Sequence, residues 1–160
     1  TLGHFLSVEL CGYISKGSNL ISVLDGINHN MGSFTNKGME VSAKCKPLEW
    51  MGIQANYSFL HTSLDNLTGA PRHQYFLTLD LMPHPKWEIH PQMKGVNSLF
   101  VSQDTHLQNY LLLGLKASYN PAEWLQLFLT ADNLTNTEYC IMKGYEMPGI
   151  SAQGGFRLNF

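Results

Sequence analysis

Alternation of apolar and polar residues at period two is the dominant pattern along this chain. Met51, Ile53, Ala55, Tyr57 and Phe59 alternate with Gly52, Gln54, Asn56 and Ser58. Leu125, Leu127, Leu129 and Ala131 alternate with Gln126, Phe128, Thr130 and Asp132, and the same pattern runs through Met39–Cys45, Tyr75–Leu81 and Gly154–Phe160. Around Leu111, Leu113, Leu115 and Ala117 one side is apolar and the other small or polar, with Leu112 as the exception. Strands present side chains to opposite faces in turn, so each segment reads as a strand with one apolar and one polar face. The pattern predicts about eight strands, near residues 4–14, 33–46, 51–62, 73–82, 87–98, 108–119, 124–133 and 150–160. The weakest is expected from Trp87 to Gly95, because Pro91 removes a ladder hydrogen bond.

The connections alternate in length. Three are short and carry proline: Pro47-Leu48-Glu49-Trp50, Pro83-His84-Pro85-Lys86-Trp87 and Pro121-Ala122-Glu123-Trp124. The others, near 15–32, 63–72, 99–107 and 134–149, are long and rich in turn residues. The tryptophans recur at steps of 37 residues, the size of one hairpin unit in a meander. Short turns at one end, long loops at the other and aromatics near a rim are the pattern of a transmembrane β-barrel. By simple parity Trp87 falls on the apolar register, and Trp50 and Trp124 on the polar one.

Composition supports two unlike faces. Charged residues are 14% of the 160, against about 25% in ordinary soluble domains, while hydrophobic residues are an ordinary 44%. Such a balance suits a sheet with one face in lipid, and it argues against a soluble sandwich with wet outer faces. A net charge of -2 indicates no nucleic-acid partner. No apolar run reaches the length of a membrane helix, and no signal peptide precedes Thr1, so a leader has been removed or the chain is a piece of a longer one.

Little in the sequence points to catalysis, a metal or a cofactor. There is no GxSxG, no CxxC and no HExxH. In the predicted layout Cys11, Cys45 and Cys140 form no disulfide framework, since Cys11 and Cys45 fall at opposite ends of neighbouring strands. Asn66-Leu67-Thr68 and Asn133-Leu134-Thr135 have the form of glycosylation sequons and read as turn chemistry. Of seven histidines, His29, His61, His73 and His106 fall in or beside the long connections without ligand spacing. Parity places Glu40, Lys44, Asp80, Lys116, Asp132 and Arg157 together on the polar face.

Several segments, in order, resemble one family. Asp132-Asn133-Leu134-Thr135-Asn136-Thr137-Glu138-Tyr139, Gly144-Tyr145-Glu146-Met147-Pro148-Gly149 and Gly154-Gly155-Phe156-Arg157-Leu158-Asn159-Phe160 are similar to the closing segments of TonB-dependent outer-membrane receptors. Upstream, Asn36-Lys37-Gly38-Met39-Glu40 resembles a strand start of the family, and Asn56-Tyr57-Ser58-Phe59-Leu60-His61-Thr62 followed by Ala70-Pro71-Arg72-His73 resembles a further segment of it. The resemblance implies an all-β antiparallel meander of about eight transmembrane strands. It would be the carboxy-terminal part of a larger, 22-stranded outer-membrane barrel, with residues 1–160 all barrel and neither plug nor TonB-contacting segment present. It implies energy-dependent uptake of a scarce nutrient, an iron–siderophore or a corrinoid, without enzymatic activity. His29, His61, His73, His106 and Tyr145 become ligand-funnel candidates, and the six polar-face residues become plug-facing ones. Phe156, Leu158 and Phe160 would form the signal read by the barrel-assembly machinery. The implied partners are the receptor's own plug and remaining strands, the TonB energy-transducing complex, that assembly machinery, a small nutrient ligand and outer-membrane lipid. The alternative is a self-contained eight-stranded barrel with a structural, adhesive or enzymatic role.

Overall fold

A computed structural model describes residues 6–24, 26–30, 32–102 and 107–159. Among them are twelve strands and no helix: β1 Leu6–Gly17, β2 Ile21–Leu24, β3 Ile27–Asn30, β4 Phe34–Leu48, β5 Met51–Thr62, β6 His73–His84, β7 Trp87–Phe100, β8 Leu107–Ala122, β9 Leu125–Asp132, β10 Cys140–Met142, β11 Tyr145–Glu146 and β12 Ser151–Leu158. Eight form one antiparallel sheet in the order β1-β4-β5-β6-β7-β8-β9-β12. There is no second layer, which removes the sandwich reading. β1 and β12 are the sheet's two edges and do not pair with each other, so the eight strands form an open wall and not a closed small barrel.

The remaining four strands lie inside the long connections, where period two predicts no strand. β2 and β3 form a hairpin in which Leu24 pairs with Ile27, with Gly26 at φ 78°. β10 and β11 form another, with Met142 opposite Tyr145 and Gly144 at φ 85°. Glycine supplies the positive φ of such tight turns at no steric cost.

The three short turns share one construction. Each incoming strand has an irregularity just before the turn, between Cys45 and Leu48, Leu81 and His84, and Tyr119 and Ala122. Pro47, Pro83 and Pro121 occupy equivalent places in these bulges, where an N–H is not needed for the ladder. The carbonyl of each turn's second residue then accepts from the next unit: Trp50 O from Met82 N at 2.7 Å, Lys86 O from Asn120 N at 2.8 Å and Trp124 O from Asn159 N at 3.0 Å. Trp50 and Trp124 are thus equivalent turn residues, whereas Trp87 is the first residue of β7. The constant spacing of 37 therefore does not mark one structural site; the proline bulge does.

The cross-strand register sorts side chains into two faces. One carries Leu10 and Val41, Ile53 and Leu79, Met93 and Leu113, and Leu127 and Phe156 as facing pairs. Aromatics flank this apolar band. Trp87 stacks on Tyr119 with centroids 4.5 Å apart, and at the other end His73 lies 5.2 Å from Phe59 and accepts or donates a 2.8 Å bond with Tyr57 Oη. From Trp87 to the Phe59–His73–Asn97 row is ten residue steps, ~33 Å along the strand and ~25 Å along the axis of a barrel whose strands tilt ~40°. That matches the height of the apolar band of outer-membrane barrels.

β7 departs from its expected weakness. It pairs with β8 from Trp87↔Tyr119 to Phe100↔Leu107, including Pro91↔Leu115. Around Pro91 the ladder lapses on the β6 side alone, between Thr78↔Gln92 and Leu81↔Ile89. At that gap His90 Nδ1 and Asp80 Oδ1 lie 2.8 Å apart, so a side-chain bond joins the strands where the backbone rungs are missing.

Leu127 sits on the apolar face with 43% of its surface exposed, and its neighbour Gln126 sits on the other face. In the membrane-inserted barrel, Leu127→Arg is expected to cost about 2–4 kcal/mol and Gln126→Arg far less. Urea unfolding in lipid vesicles measures both, and equal costs would contradict the face assignment.

Candidate functional site

The polar face is built by side chains that share cross-strand rows. Glu40 faces Cys11 and Ser58, and Lys44 faces Ser7 and Gln54. Asp80 faces Gly52, Lys116 faces His90 and Thr130, Asp132 faces Ser151, and Arg157 faces Gln126. All six polar candidates therefore share one face of the sheet. Their neighbours bond locally: Ser118 Oγ donates to Glu88 Oε2 at 3.3 Å and Arg157 Nη1 to Gln126 Oε1 at 3.4 Å. A hollow of about 470 Å³ lies over β1, β4, β5, β6 and β7 on this side, with Glu40, Ser42, Asn56, Gln74, Phe76 and Lys94 in its wall. Lys94, Glu88 and His90 also belong to this face, beyond the six sequence candidates.

Toward the long-connection end the character of this face changes. After Val96↔Tyr110 the register slips to Leu99↔Gln108, with Ser98 at φ 56° and its N–H bonded to Asn109 Oδ1 at 2.7 Å. One extra residue reverses the alternation. Val96, Leu99 and Val101 consequently turn to the same side, at 1%, 1% and 4% exposure, and pack with Tyr110. Leu112, the exception in the sequence pattern, packs there too, as do Tyr139 and Cys140. Asn97-Ser98 before Leu99-Phe100-Val101 was the available signal for this core, and period-two reasoning passed over it.

The connection 133–150 folds over that core. β9 pairs with β8 only as far as Ala131↔Leu115, which leaves carbonyls free on the upper part of β8. Leu134 N takes Leu113 O at 2.8 Å and Thr137 Oγ1 takes Leu111 O at 3.1 Å. Gln108 accepts from Cys140 N at 2.9 Å and donates to Cys140 Sγ at 3.1 Å, and Lys143 N donates to Val101 O at 2.8 Å. Tyr139 lies against Tyr110 with ring centroids 4.5 Å apart.

Asn133, buried and at φ 51°, pins the connection on itself. Its Nδ2 donates to Thr137 O at 2.9 Å and Pro148 O at 3.1 Å, and its Oδ1 accepts from Thr137 N at 2.8 Å. Asn136 Oδ1 accepts from Ile150 N at 2.9 Å. The two asparagines are turn chemistry, and both Asn133 amide hydrogens are engaged. Between the folded connection and the sheet lies a second hollow of about 350 Å³, walled by Lys94, Leu112, Asp132, Tyr139, Met147 and Pro148.

The ligand-funnel candidates do not converge. His29 pairs with Ser22 on the β2–β3 hairpin, and Tyr145 is exposed on β11. His61 and His73 sit on the apolar face, opposite the polar wall, and His106 lies outside the described residues. Phe156 and Leu158 face Leu127 and Leu125 on the apolar side; Phe160 lies outside the described residues. Cys11 and Cys45 are on opposite faces of neighbouring strands. Among the described residues no group of three or more His, Cys, Asp or Glu is arranged to hold a metal.

Asn133→Ala removes three hydrogen bonds worth about 1 kcal/mol each and places alanine in the left-handed region. Hydrogen-exchange protection across 134–149 is expected to fall on the order of 100-fold while the strands stay protected. Unchanged protection there would contradict the pinning role.

No protein-family model and no curated protein matches the chain. Solved structures do. The copper transporter OprC is similar at 15% identity and a TM-score of 0.79, over 99% of this chain and 29% of that one. The ferric-catecholate import receptor Fiu from E. coli K12, in its closed form, is similar at 15% identity and a TM-score of 0.78, over 99% and 26%. The ferric yersiniabactin uptake receptor FyuA from Yersinia pestis is similar at 13% identity and a TM-score of 0.75, over 98% and 28%. The chain thus spans less than a third of each of these receptors. Its fold is that of an eight-stranded stretch of the barrel wall of TonB-dependent outer-membrane receptors.

Proposed function

We propose that this chain is the carboxy-terminal, membrane-spanning part of an outer-membrane receptor that takes up a scarce nutrient at the expense of energy passed from the inner membrane. One observation carries the reading. The sheet has an apolar band on one face, and at its long-connection end the segment 133–150 is folded and pinned over the other, polar face. A wall of this kind narrows a lumen from the outside, which is what a receptor that admits ligand selectively requires. The short proline turns then lie at the periplasmic rim, as short turns do in outer-membrane barrels, and the four long connections lie outside. His29 and Tyr145 fit the ligand side of this arrangement; His61 and His73, on the apolar face, fit the outer aromatic belt instead.

In this reading Glu40, Lys44, Asp80, Lys116, Asp132 and Arg157 face the receptor's plug, and other strands meet β1 and β12. The TonB complex acts through segments beyond this stretch. The nutrient is an iron–siderophore or a corrinoid; similar solved structures include a ferric-catecholate import receptor and a copper transporter. Phe156, Leu158 and Phe160 serve the barrel-assembly machinery. Changing Phe160 to Ser is expected to lower the folded receptor in the outer membrane severalfold, read by heat-modifiable mobility on gels. An unchanged folded fraction would remove that role.

Uptake itself is tested with the full-length receptor. Cells lacking it are expected to lose accumulation of one labelled nutrient among ferric siderophores, cobalamin and copper. A full-length copy should restore accumulation, and a protonophore should abolish it. Normal accumulation of every nutrient in the deletion strain, or uptake indifferent to the protonophore, would contradict the proposal.

A further inference from the structure

We propose that the outer end of β7, Asn97 to Val101, is a strut shared by the connections 63–72 and 133–150, so that the two open and close as one cap. The coupling stands on hydrogen bonds and packing; that the cap lies on the ligand's side of the wall rests on the uptake reading.

An extended strand offers its carbonyls to its two neighbours in turn. At and beyond the bulge at Ser98 those neighbours are the two connections. Ser98 O accepts from Arg72 N at 3.2 Å and Phe100 O from Gly69 N at 3.0 Å, and Thr68 pairs with Phe100 in a parallel bridge. The next carbonyl, Val101 O, accepts instead from Lys143 N at 2.8 Å. Leu99 pairs with Gln108, whose side chain holds both Cys140 N and Cys140 Sγ. The middles of both connections, Thr68–Gly69 and Cys140–Lys143, thus meet the sheet at or beside one short segment.

Side chains bind the arrangement together. Leu99 and Val101 are buried with Tyr110 where Tyr139 and Cys140 pack on them. Lifting 133–150 uncovers these residues to water, which loosens the strut and takes the acceptors from Gly69 and Arg72. Lifting 63–72 removes the strut's bonds on its other side. The β2–β3 hairpin stands apart: among the described residues, the hydrogen bonds of Asn19, Leu20, Asn30 and Gly32 at its base run within 19–32.

Hydrogen exchange of the full-length receptor in outer-membrane vesicles reads both connections at once. Gly69→Pro removes the Gly69 N–H and forbids its φ of 76°. Protection is expected to fall in 66–72 and also, on the order of tenfold, in 134–149. Asn133→Ala acts from the other side, and because coupling is reciprocal it should lower protection in 66–72 as well as in 134–149. The β2–β3 hairpin should keep wild-type protection in both variants. Either variant alone decides. Loss confined to the connection that carries the substitution overturns the strut. An equal loss in β2–β3 marks loosening of the whole outer end and overturns it as well. A wild-type receptor that accumulates no nutrient in cells contradicts the uptake reading separately, and the coupling is still read by exchange.

Discussion

Pairing of the backbone governs this structure. In the proposed membrane setting, the face that carries leucine, valine and phenylalanine has no water to satisfy an unpaired N–H or C=O, so each rung must be made within the sheet. The proline bulges are how the chain keeps that pairing at its tight turns. Pro47, Pro83 and Pro121 sit where no donor is wanted, and the turn carbonyls of Trp50, Lys86 and Trp124 find donors in Met82, Asn120 and Asn159. The same requirement applies to the edges. In lipid, β1 and β12 must be met by other strands.

Where the ladder stops, other groups complete it. Pro91 interrupts the rungs toward β6, and the His90–Asp80 bond spans the gap. β9 falls short of β8, and Leu134 and Thr137 take up the carbonyls of Leu113 and Leu111. The bulge at Ser98 then turns Val96, Leu99 and Val101 to the polar side, giving Tyr139 and Cys140 an apolar seat. Folding of the 133–150 connection over the lumen side is thus a local consequence of one register slip and one short strand. Deletion of the slip would return Leu99 and Val101 to the other face and leave the connection nothing to pack on.

Much of this was legible in the sequence, because the strongest signal, period two, is also what sheet pairing imposes. The eight main strands fell close to their expected places, and the six polar candidates share one face because parity survives along a regular strand. What failed to read was whatever breaks parity. Leu99 and Val101 were hidden by the bulge, and the pairing of β7 with β8 by a proline whose missing donor affects only one neighbour. The glycine turns at Gly26 and Gly144 were present as signals but lay inside segments treated as loops. The tryptophan spacing misled for a different reason: a constant interval concealed two kinds of site, the turn and the start of a strand. His73 lies on the apolar face, because nearness to a long connection does not specify a face.

The central claim is a membrane-spanning wall with alternating lipid and lumen faces. Nitroxide spin labels placed singly at positions 125 to 131 on β9, in the full-length receptor in lipid vesicles with its native cysteines replaced, test it most directly. Oxygen accessibility should be high at 125, 127 and 129, and low at 126, 128 and 130. A flat profile, or the opposite alternation, would contradict the two-faced wall and the uptake reading built on it.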